Sequence, residues 1–94
     1  MRTYLIGYDL NKPGKDYAKL IQAIKDAFPT RWHELDSTWI VKTDLTAAQI
    51  RDRFKPPLID NTDELLVVRL QAEWASWGLS EVGVNWLQSQ MSYE

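Results

Sequence analysis

The sequence predicts an α+β domain in which an antiparallel sheet is covered by helices. Three observations lead there. Tyr4-Leu5-Ile6-Gly7-Tyr8 alternates in the period of a strand. Tyr17, Leu20, Ile21, Ile24 and Phe28 recur at the spacing of one helical face. Two further strand-like runs, about 31–35 and 38–43, are separated only by Asp36-Ser37, too little chain to hold a crossover helix.

In chain order, residues 3–10 read as the first strand. Tyr4, Ile6, Tyr8 and Leu10 lie on one face, and Leu5, Gly7 and Asp9 on the other. Both faces are largely apolar, so this strand is expected to be central and covered on both sides. A turn through Asn11-Lys12-Pro13-Gly14 leads into a helix over about 14–28, closed by Pro29. The hairpin follows, its second strand carrying Trp39-Ile40-Val41. Thr46 with Gln49 three residues on is a capping-box signature for a second helix, which points Ile50 and Phe54 inward and stops at Pro56-Pro57. Residues 64–71 read as a buried strand. A tail from about 72 to 94 holds Trp74 and Trp77, turns at Gly78, and is capped by Ser80 for a short helix presenting Val82, Trp86 and Leu87. The order is βαββαβ plus a tail, which fits a ferredoxin-like sandwich with two helices on one face of the sheet and spatial strand order 4-1-3-2. The expected core is Tyr4, Ile6, Leu20, Ile24, Ile40, Ile50, Leu66 and Val68.

Composition bounds the function. The 94 residues make one domain, with no internal repeat or linker. There are no cysteines, which excludes disulfides and thiolate catalysis. No apolar run approaches the length of a membrane span and no signal segment is evident, so a cytoplasmic location without membrane contact is expected. A net charge of -2 argues against tight, non-specific binding to nucleic acid, while leaving room for a local basic patch. Five tryptophans supply a large aromatic area for a core or an interface. His33 is the single histidine, so it reads as a packing or interface residue rather than a metal ligand, and the sequence by itself builds no Ser-His-Asp set around it.

The predicted topology converges several polar residues on one rim of the sheet. Asp9 ends the first strand, Asp36 and Ser37 form the hairpin, Asp63 and Glu64 begin the fourth strand, and Asn11, Lys12 and Lys15 start the first helix. Carboxylates distant in sequence and gathered at one place suit a hard cation such as Mg²⁺, which takes oxygen ligands and can assist phosphodiester hydrolysis. The same residues also suit turns, because an Asp side chain bonds nearby backbone N–H groups. For Asp36 and Asp63 the turn role is preferred; for Asp9 both readings stand.

A strand ending in "YDL", the βαββαβ order, and the segments "LDSTWIVKTDLTAAQIRD" and "DELLVV" resemble the CRISPR-associated protein 2-like superfamily, in particular its SinR-like branch. Virulence-associated protein D toxins are similar in architecture. The resemblance implies a homodimer and, in some members, a Mg²⁺-dependent ribonuclease or deoxyribonuclease. It implies that Asp9 is the metal-binding catalytic residue and that Ser37, followed two residues later by Trp39, belongs to the same site. Asn11, Lys12 and Trp39 are then the expected substrate contacts on RNA or DNA. A non-catalytic dimeric binding or regulatory module, in which Asp9 only shapes a turn, is the alternative of another class.

Overall fold

The computed structural model describes residues 1–10, 17–55 and 58–91. Its elements are β1 (Arg2–Asp9), α1 (Tyr17–Ala27), β2 (Arg31–Leu35), β3 (Thr38–Thr43), α2 (Ala47–Arg53), β4 (Glu64–Arg69) and α3 (Glu81–Gln90). The four strands form one sheet in the order β2-β3-β1-β4, with every neighbouring pair antiparallel. Read from the opposite edge, this is the expected order 4-1-3-2. The fold is α+β.

Side-chain parity along β1 sets the two faces. Tyr4, Ile6 and Tyr8 are buried and join Trp39 and Val41 of β3 on one face. Leu20 and Ile24 of α1, Phe28 just after it, Ile50 of α2 and Phe54 at its end complete the same cluster, so α1 and α2 share this face. The capping box of α2 is present: Thr46 Oγ1 accepts from the Gln49 backbone N–H at 3.2 Å, and Gln49 Oε1 accepts from the Thr46 N–H at 2.9 Å. The box ties the first turn of α2 to its entry from both sides.

The opposite face is only partly covered. Here α3, capped by Ser80, packs Leu87 against Trp32 and Ile40, with Met91, Leu70, Trp74 and Leu79 around them. Trp74 Nε1 donates to the Met91 carbonyl at 3.1 Å, fastening the tail to the end of α3. Beyond this cluster the sheet is open: Leu35, Leu66 and Val68 are 51%, 61% and 41% exposed.

Two expectations are corrected here. Leu66 and Val68 are not core residues; Leu65 and Val67 pack against the main core instead. Leu65-Leu66-Val67-Val68 is apolar at every position, so the sequence does not reveal which parity faces the helices. The register does, because Ile6 pairs with Val67, placing Val67 on the buried face. Val82 is also exposed (80%), and Gly83 takes the inward position on α3. The stop at Pro56-Pro57 lies outside the described residues.

Candidate functional site

The polar rim anticipated from topology is assembled where β1 ends, β4 begins and the β2–β3 hairpin turns. Asp9 pairs directly with Glu64 across the β1–β4 ladder. The Tyr8 N–H donates to the Ser37 carbonyl at 3.1 Å and ties the hairpin tip to β1. The result is an open cleft of about 410 Å³ whose lining includes Asp9, Asp36, Ser37 and Glu64, with Gly7 and Leu66 on its floor. Gly7 and Leu66 are themselves a cross-strand pair, so the floor is the uncovered face of the sheet.

Those of the expected residues that are described have definite places. Asp9 is exposed on the open face, in parity with Leu5 and Gly7. Among the described residues no hydrogen bond or ion pair reaches its carboxylate; the turn that follows it, with Asn11, Lys12 and Lys15, lies outside the described residues. Ser37 holds φ at +55°, in the left-handed region that side chains other than glycine rarely adopt. Within the Asp36-Ser37 hairpin loop Ser37 alone takes this conformation, at some cost in strain. Asp63 does the turn work expected of it: its Oδ2 accepts from the Asp60 N–H at 3.1 Å, and its own N–H donates to the Asp60 carbonyl at 3.0 Å. Glu64, rather than Asp63, is the carboxylate that the start of β4 brings to the cleft.

Trp39 is placed differently from a substrate contact. It is 2% exposed, sits in the main core, and donates from Nε1 to the Tyr8 hydroxyl at 3.1 Å. His33 covers its ring in a parallel stack, with centroids 3.8 Å apart and planes 9° from parallel. His33 is therefore the packing residue expected. Desolvation against the sheet lowers its pKa below the usual histidine value, with Lys25 adding to the effect and Asp36 opposing it. Burial likewise raises the Tyr8 phenol above its ordinary value despite the hydrogen bond from Trp39. No local signal announces the Tyr8–Trp39 bond, although both residues fall on the inward parity of their strands.

The side-chain donors at the cleft are all oxygen, the carboxylates of Asp9, Asp36 and Glu64 with the hydroxyls of Ser37 and Thr38, a set suited to Mg²⁺ or Mn²⁺ rather than to softer metals. Among the described residues, no three His, Asp or Glu side chains are grouped as a metal cage. Mg²⁺ does not require one, because it commonly binds through one or two carboxylates and completes its shell with water and substrate phosphates. The residues thus fit such a cation when a substrate or a second protomer contributes. No helix among the described residues is long and apolar enough to cross a membrane. Comparison with family models, curated proteins and solved structures finds no match to this chain.

Proposed function

We propose that this chain is a metal-dependent nuclease-like protein that acts on RNA or DNA phosphodiesters as a homodimer, on a ferredoxin-like fold of the CRISPR-associated protein 2-like kind. The observation that carries the reading is the meeting of Asp9, Glu64, Asp36 and Ser37, from three separate parts of the chain, at one cleft. Asp9 and Glu64 would hold a Mg²⁺ ion, and Asp9 would do so from the end of a strand fixed by backbone pairing on both sides. When bound, that ion supplies charge neutralisation and a more acidic water for phosphodiester hydrolysis. The Ser37 hydroxyl would donate to a phosphate oxygen and position it.

The dimer part of the reading is supported by the open sheet face. Leu35, Leu66 and Val68 are solvent-exposed there beside the cleft. Pairing that face with its copy would remove apolar area from water and place two Asp9 carboxylates near one axis.

The test joins cleavage to assembly. Single- and double-stranded RNA and DNA are incubated with the parent and with Asp9→Asn in Mg²⁺ and in Mn²⁺, and light scattering gives the mass at tens of micromolar. The reading expects a dimer, cation-dependent cleavage by the parent, and a loss of orders of magnitude in Asp9→Asn. A parent that cuts nothing in either cation, together with a destabilised Asp9→Asn, would assign the chain to the non-catalytic binding module instead.

A further inference from the structure

The end of the sheet opposite the acidic cleft has the reverse character. Arg2 opens β1, Lys42 lies near the end of β3, and Arg69 ends β4. Lys42 pairs with Thr3 and Arg69 with Tyr4, so Lys42 lies on the α3 side of the sheet and Arg2 and Arg69 on the α1–α2 side, and the three flank the same end of the sheet from its two faces. All three line one cavity of about 290 Å³, along with Gln71 and Gln90. No Asp or Glu among the described residues lines it. In a chain with a net charge of -2, this is a local concentration of positive charge against the overall sign.

The cationic groups are held in place without being used up. Arg2 donates from one guanidinium nitrogen to the Tyr4 hydroxyl at 3.3 Å and to the Leu45 carbonyl at 3.4 Å. A guanidinium carries five N–H donors, so others remain. The Lys42 ammonium donates to Gln90 Oε1 at 3.1 Å and has three hydrogens to give. Among the described residues Arg69 has no hydrogen bond or ion pair through its side chain. Nearby, the N-terminal ammonium is already paired with Asp44 at 3.6 Å and adds little.

We infer that this cavity is a binding site for backbone phosphates of a single-stranded nucleic acid, held by Arg2, Lys42 and Arg69. Guanidinium groups match phosphate oxygens in a two-pronged geometry, and the lysine adds a point charge. The site lies one strand length from the acidic cleft, roughly 24 Å along the eight residues of β1 at the usual strand rise. A nucleic-acid strand can therefore be anchored at one end of the sheet while another part of it reaches Asp9. The inference rests on the nuclease-like reading for the choice of ligand, but anchoring does not require cleavage.

The test measures binding alone. A fluorescein-labelled single-stranded oligonucleotide is titrated in EDTA with the full chain, with Lys42→Gln/Arg69→Gln, and with Lys19→Gln/Arg53→Gln. The second pair removes the same charge from exposed positions on α1 and α2. Thermal melts verify that each variant is folded. The expected result is at least tenfold weaker binding for Lys42→Gln/Arg69→Gln and less than a twofold change for the control. The dependence of log affinity on log salt should also flatten, by about 0.7 for each phosphate no longer neutralised. Equal losses in the two variants would reduce the effect to net charge and overturn the inference, as would unchanged binding. Displacement by polyglutamate at the same charge concentration would overturn it too, in favour of an acidic peptide. Because EDTA removes the cation, a parent that fails to cleave in Mg²⁺ leaves this result intact, and the two failures stay distinct.

Discussion

Asp9 and Glu64 face each other as the terminal pair of the β1–β4 ladder, two carboxylates on the same side of the sheet. Like charges directly opposite one another in an antiparallel pair destabilise it by a few tenths of a kcal/mol to about 1 kcal/mol. Both residues are exposed, so salt weakens the repulsion. Asp9→Asn keeps the shape and removes one charge. In EDTA at low salt the variant should melt at or slightly above the parent temperature. If Asp9 holds Mg²⁺ as proposed, millimolar Mg²⁺ should raise the melting temperature of the parent and leave Asp9→Asn unmoved, since a cation bound by the folded site alone stabilises it. Equal shifts in the two proteins would place the cation elsewhere.

Ser37 offers a separate handle on the same cleft. Its φ of +55° costs a residue with a Cβ about 1–2 kcal/mol, and glycine avoids that cost. Ser37→Gly should therefore raise stability in urea denaturation by about 1 kcal/mol, whereas Ser37→Ala retains the strain and gains nothing. If the hydroxyl positions a phosphate, both variants lose cleavage in common while moving apart in stability. Parent-like cleavage by both would confine Ser37 to the turn.

Much of this architecture is legible in the sequence because local signals and tertiary demands agree. The Thr46–Gln49 capping box, the Ser80 cap, the positive φ of Gly78 and the two-residue hairpin are all dictated by backbone chemistry within a few positions. Convergence of Asp9 with the hairpin and with the start of β4 follows from strand order alone. What stays hidden depends on parity or on distant partners. Four consecutive apolar residues in β4 conceal which two face the helices. Trp39 is a substrate contact only by resemblance, and nothing local shows that Tyr8 and His33 enclose it. Glu34 reads as any solvent-facing strand residue, yet it holds the start of a helix 46 positions later, at Ser80.

His33 makes stability depend on pH in a calculable direction. Its folded pKa lies below the usual 6.5, chiefly through desolvation, so the fold favours the neutral ring. Between the folded and unfolded pKa values the unfolded chain binds more protons, and stability rises with pH there. The contribution is complete above the unfolded value near 6.5 and is lost as pH falls through the folded value. The groups acting on the ring are Asp36, which favours protonation, and Lys25, which opposes it. Urea midpoints of the parent should decline from about pH 7 to about pH 5 more steeply than those of His33→Gln. A parent and variant with parallel profiles would show that stacking on Trp39 does not discriminate between the two ring states.

Gly83 and Glu34 are coupled in a way that a double-mutant cycle can resolve. Glu34 projects from β2 and accepts from both the backbone N–H and the hydroxyl of Ser80, at 2.9 Å each, which anchors the start of α3 to the sheet. Ser80 Oγ in turn accepts from the Gly83 N–H at 3.0 Å. A Cβ on Gly83 would overlap the Glu34 carboxylate and would also crowd Trp32 Nε1, at 3.1 Å. Alanine is the better helix former by about 1 kcal/mol, so on a free helix Gly83→Ala would stabilise. Here the Glu34 carboxylate, the end of an exposed side chain, must swing aside and its bonds to Ser80 are lost, so the substitution should forfeit the helix gain and destabilise by about 0.5–1.5 kcal/mol. Once Glu34→Ala has emptied the space, adding Gly83→Ala should cost far less, and helix propensity can reverse its sign. The expected coupling exceeds about 0.5 kcal/mol, the range seen for residues that touch. Additive effects of the two substitutions in urea denaturation would mean that the Glu34 carboxylate and position 83 do not compete for the same space, and would overturn the coupling.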